Sequence, residues 1–157
     1  MVESRKWTDS PGIESGEYPA DALRELSTTD NTLSFWIVDD SAEDWWKDAA
    51  LALASNRERL DGIELAFIGA AEVQAAHISI RMSPGDTPVL DIVDRHVDFE
   101  KLDQRRYFEI ASAIGRAFGV RWRKLNRTDV KLLIKGAIAD RRVEADSLPL
   151  KLRSQLV

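Results

Sequence analysis

Two short runs place carboxylates and imidazole at spacings that chemistry could use. Asp94, His96 and Asp98 recur at every second residue, so on a β-strand all three side chains would leave from one face. That mixed oxygen and nitrogen set suits zinc, manganese or iron, with Asp91 or His77 as a further ligand. The bland counterpart is a polar strand end that leads into a helix, with Asp98 as its cap. The second run is Asp39-Asp40, at the end of an apolar stretch where open α/β sheets place ligands and metal-dependent nucleases place acids. Helix-end electrostatics accounts for the same pair, since acids favour the positive start of a helix that Ser41 would cap.

Other chemistries are poorly supplied. There is no Gly-x-Ser-x-Gly elbow, and His77 and His96 are the two imidazoles available as a base. The eight glycines are scattered, with neither dinucleotide-binding nor P-loop spacing. With no cysteine, disulfides, thiolate catalysis and cysteine-ligated zinc or iron-sulfur sites are excluded. No cofactor is expected.

The most concrete cluster is cationic: Arg116, Arg121, Trp122, Arg123, Lys124, Arg127, Lys131 and Lys135. It belongs to a wider asymmetry. Residues 1–103 hold 22 acids against 9 bases and residues 104–157 hold 5 against 13, so a front of −13 meets a tail of +8 within a net charge of −5. The Arg121-Trp-Arg-Lys stretch reads as a loop between two helices, where cations beside one stacking aromatic would suit a phosphate backbone. Against this, the acidic front repels a long polyanion, and a solvated basic face explains the cluster equally well. Trp45-Trp46 is a further candidate. A helix directs one of two adjacent residues to its core, so Trp46 is read as buried and Trp45 as a partner anchor or a residue shielded by the N-terminus.

These residues need elements to hold them. Residues 1–17 read as a loosely held arm, and residues 18–157 as one α/β (or α+β) domain with a basic helical part over about 100–157. A short helix is expected from Pro19 to Leu26, then a turn over Ser27 to Asn31. The strand Leu33 to Val38, a helix from Ser41 to about Leu60 and the strand Ile63 to Ile68 suggest a right-handed parallel βαβ crossover. A connector over residues 70–76 follows. His77 to Met82 alternates, with Ile78, Ile80 and Met82 inward, and Ser83 to Thr87 turns it into a return strand over Val89 to Val93. The result is a small mixed four-stranded sheet. Helices over Glu100 to Phe118, stopped by Gly119, and over Thr128 to Arg142 then carry the apolar periodicity, with a terminal helix or tail over Leu148 to Leu156.

Hydrophobic and charged shares of 44% and 31% argue against whole-chain disorder. The first residues have no apolar core and no later run approaches a membrane span, which points to a cytoplasmic protein with no membrane partner. The reading that absorbs most of this is a small non-catalytic interaction protein: an accessory subunit, inhibitor or adaptor, of the kind encoded in bacterial toxin-antitoxin or phage-defence operons. It would dock a protein partner or its own copy through its charge poles. The alternative is a nucleic-acid-binding or metal-dependent nucleic-acid-cleaving module using the same basic surface.

Overall fold

The computed structural model describes residues 23, 26, 29–41, 44–117 and 120–156. The expected N-terminal arm, most of the expected first helix and Gly119 lie outside the described residues. The fold is mixed α/β, with five strands in two small antiparallel sheets among the described residues and several helices toward the C-terminus. In chain order the elements are β1 (Leu33–Trp36), α1 (Lys47–Ser55), β2 (Ile63–Ala66), α2 (Ala70–Ala75), β3 (Ser79–Met82), β4 (His96–Glu100), α3 (Gln104–Ala117), β5 (Trp122–Leu125), α4 (Arg127–Ala139) and α5 (Leu150–Leu156). One sheet has the order β1-β4-β3, and the other pairs β2 with β5.

This topology departs from the expected arrangement at three places. First, β1 and β2 do not share a sheet, so there is no parallel crossover between them: β1 is paired with β4, and β2 with β5. Second, the cationic stretch expected as a loop is itself strand β5. Third, the return partner of β3 is β4, while Leu90–Arg95 winds into a 3₁₀ turn. Val89 and Ile92 are both buried, and a spacing of three is the 3₁₀ repeat rather than the strand repeat of two. Ile80 and Met82 are not inward either, at 53% and 61% exposed on an edge strand.

The chain divides into two compact units, Met1–Ser34 with Glu64–Arg81 and Asp98–Lys124, and Phe35–Ile63 with Met82–Val97 and Leu125–Val157. The division falls inside each of the five strands.

In the first unit the core is drawn from Leu33, Leu65, Val73, Phe99, Leu102, Ile110 and Ile114, all buried. Thr29 to Thr32 closes a tight turn in which Asp30 and Asn31 take φ of 52° and 57°, the left-handed pair that a type I′ turn requires. Asp103, not Asp98, caps α3: its Oδ1 accepts from Arg106 N at 2.8 Å. On the same helix the Tyr107 hydroxyl bonds the carbonyls of Leu23 and Leu26, the latter at 3.0 Å. Burial raises the pKa of that phenol above its ordinary value.

In the second unit α1 packs against α4. Ala49, Ala50, Ala52 and Ala54 are buried, and such small side chains permit close approach of two helices. Asn126 caps α4 by accepting from Thr128 N and Asp129 N at 2.7 and 3.0 Å, and Asp129 returns the bond to Asn126 N at 2.9 Å. The C-terminal segment is a packed helix. Leu152 is fully buried, and Gln155 Oε1 accepts from Leu60 N at 3.2 Å.

Candidate functional site

The expected metal run does not stand on one face, because Asp94 belongs to the 3₁₀ turn while His96 and Asp98 belong to β4. Among the described residues no group of three or more acids and histidines is arranged to hold a metal ion. Asp98 is buried and accepts from Ser34 Oγ and Arg81 Nη2, both at 2.9 Å, and Arg81 also reaches Glu100 at 3.3 Å. His96 meets Ser83 Oγ at 2.9 Å through Nδ1 and presents its ring edge-on to Trp36 at 5.1 Å. These are strand-to-strand ties. His77 ends α2 and its carbonyl accepts from Arg106 Nε at 3.2 Å.

Ser41 is not the cap of α1, which begins at Lys47 with Trp46 at its N-cap, so Asp39 and Asp40 do not stand immediately before that helix. Instead Asp39 Oδ1 accepts from Ser41 N at 3.0 Å. Bonds from the Ser41 backbone and hydroxyl hold the Asp39 carboxyl below its ordinary value. Asp40 is exposed. Trp45 and Trp46 are both half-buried in the turn before α1, and Lys47 Nζ lies 5.9 Å from the centre of the Trp46 ring.

The cationic cluster is parted between the two units, with Arg116, Arg121, Trp122, Arg123 and Lys124 in the first and Arg127, Lys131 and Lys135 in the second. Three of its members in the first unit face acids. Arg121 and Arg116 grip Glu72 at 2.9 and 3.2 Å, and Lys124 meets Glu64 at 2.8 Å. Arg123 turns back to the Trp122 carbonyl at 2.9 Å. Arg127 and Lys135 are exposed on α4, and Lys131 is half-buried.

The feature that sequence reasoning missed is a groove of about 630 Å³ in the first unit, between α2 and α3. Its geometry begins with Gly69, the N-cap of α2, whose N–H is accepted by Glu72 Oε2 at 2.9 Å. A Cβ at Gly69 would stand 2.8 Å from the Arg121 guanidinium, so glycine lets that cation reach Glu72. Burial pushes the Glu72 carboxyl up, but the Gly69 N–H together with Arg116 and Arg121 outweighs it and leaves the pKa below its ordinary value. The opposite wall is α3. Its buried stripe through Ile110, Ala111 and Ile114 packs inward, leaving Arg105, Phe108, Glu109, Ser112 and Arg116 as a second stripe at i, i+3, i+4, i+7 and i+11 along the groove. Val73, Phe99 and Ile110 form an apolar floor, and Phe108 stands at the mouth 45% exposed. Arg105 and Glu109 pair across one turn at 3.0 Å.

The groove therefore offers apolar area with charged residues along its rim. The spacing of Arg105, Phe108, Glu109 and Arg116 was visible in the sequence, but the facing wall was read as a connector. No protein-family model, no curated protein and no solved structure matches this chain.

Proposed function

We propose that this chain is a small non-catalytic interaction protein, an accessory subunit, inhibitor or adaptor, which receives an amphipathic helix of a protein partner in the groove between α2 and α3. The supporting observation is Phe108. A large aromatic left 45% exposed at the mouth of an apolar trough is the kind of anchor that carries binding energy at protein interfaces. Two flanking helices also match the helix-in-groove mode, in which apolar anchors at i, i+3, i+4 and i+7 fill a trough and polar residues line its rim. The cationic cluster is less suited to a phosphate backbone than its sequence suggested, because Glu72 and Glu64 already engage three of its members.

Photo-crosslinking tests the reading. A benzoyl-phenylalanine at position 108, and controls at the more exposed Leu132 and Leu150, are expressed in cells of the native host. The expected result is one defined adduct from position 108 alone, lost when Ala75→Trp fills the mouth of the groove. The same adducts from all three positions, or an adduct indifferent to Ala75→Trp, would sink the docking proposal.

A further inference from the structure

Resting on the docking reading, we infer that the groove selects its helix by charge order, taking one whose rim reads acid, base, acid. Along α3 the groove stripe reads Arg105, Glu109, Arg116, a cation at each end and an anion between. Eleven residues of α-helix set the two cations about 16 Å apart along the axis, roughly three turns of an occupant. Arg105 is the freer of them, its side chain 85% exposed beside Glu109, whereas Arg116 and Arg121 share Glu72 on the facing wall, two cations against one acid that leave a net positive charge at that end. Arg105 and Arg116 both stand at the rim, where charge acts on partner choice and association rate more than on raw affinity. A helix with the opposite order would set like charges together at three positions, and that repulsion discriminates.

Three designed 18-residue amphipathic helices with the same leucine stripe serve as probes. One carries Glu-Lys-Glu on its rim, one Lys-Glu-Lys and one glutamine throughout, each in both spacing orders so that either chain direction is served. Titration calorimetry at low salt should find the Glu-Lys-Glu peptide at least tenfold tighter than Lys-Glu-Lys, with a gap that narrows as salt is raised. The double variant Arg105→Glu, Glu109→Arg keeps the ion pair on α3 and reverses its order. In that protein the Glu-Lys-Glu peptide should lose about fivefold or more and Lys-Glu-Lys should gain. Equal affinities, or a preference that the double variant leaves unmoved, overturn the charge-order inference. If all three peptides bind alike and Phe108→Glu abolishes them, docking stands and selection by charge order falls. If none binds, the helical occupant falls with it.

Discussion

At the scale of single residues, Glu72 does the most. It accepts from Gly69 N, Arg121 and Arg116, so one carboxylate starts α2 and gathers two cations of the sequence cluster. Its pKa is depressed in the fold, so its stabilisation is fully present above the ordinary carboxylate value and is lost as pH falls through the lower folded value. Glu72→Gln keeps the shape and removes the charge. At neutral pH it should cost about 1 kcal/mol, a fall of roughly 2–4 °C in Tm. That difference should shrink to nothing in acid, where the wild-type carboxyl is itself protonated. Thermal melts of both proteins across a pH series check this, and a gap that stays constant into acid would rule out the linkage.

At the scale of elements, two helices end on the same device without glycine. In α2, His77 N donates to Gln74 O at 3.0 Å and Ile78 N to Val73 O at 3.4 Å, with His77 at φ 50°. In α4, Arg141 N donates to Ile138 O at 3.1 Å and Arg142 N to Ala137 O at 2.9 Å, with Arg141 at φ 60°. Both are Schellman endings whose left-handed position carries a side chain. Arg141→Gly removes that steric cost and should raise stability by about 0.5–1 kcal/mol, partly offset by a looser unfolded chain. Denaturant midpoints measure it, and a lowered midpoint would contradict the assignment. The same device explains what the sequence concealed. Without glycine at position 77, α2 passed for a connector, and with it went one wall of the groove. The opposite wall was legible, since Tyr107, Ile110, Ala111 and Ile114 repeat at helical spacing and α3 forms where they predict. Strands β1 and β2 were legible from their aromatic and β-branched runs, but their partners were not, because β5 is written Trp-Arg-Lys-Leu and its cations mask a strand.

At the scale of the whole molecule, the opposed charges of the two halves are partly joined within one chain. Arg116, Arg121 and Lys124 meet Glu72 and Glu64, Arg142 meets Asp48 and Asp91, and Lys151 meets Glu58. Each pair ties a base of the tail to an acid of the front. Pairing of this kind within the chain lowers the charge left for head-to-tail association between copies. Light scattering from low to high salt should therefore return one unchanged particle mass. A mass that falls as salt rises would show that the poles meet between molecules instead.

Those ties also order events during synthesis. Arg142 lies 94 residues beyond Asp48, and Lys151 lies 93 beyond Glu58. A ribosome that has released residues 1–103 has delivered 22 acids and 9 bases, with neither β5 nor the cations of the last helices yet in hand. Domains usually fold from the N-terminus as they emerge. Here the front half carries −13 before the tail is made, and β2, Asp48 and Glu58 must wait for β5, Arg142 and Lys151 before their pairings can form.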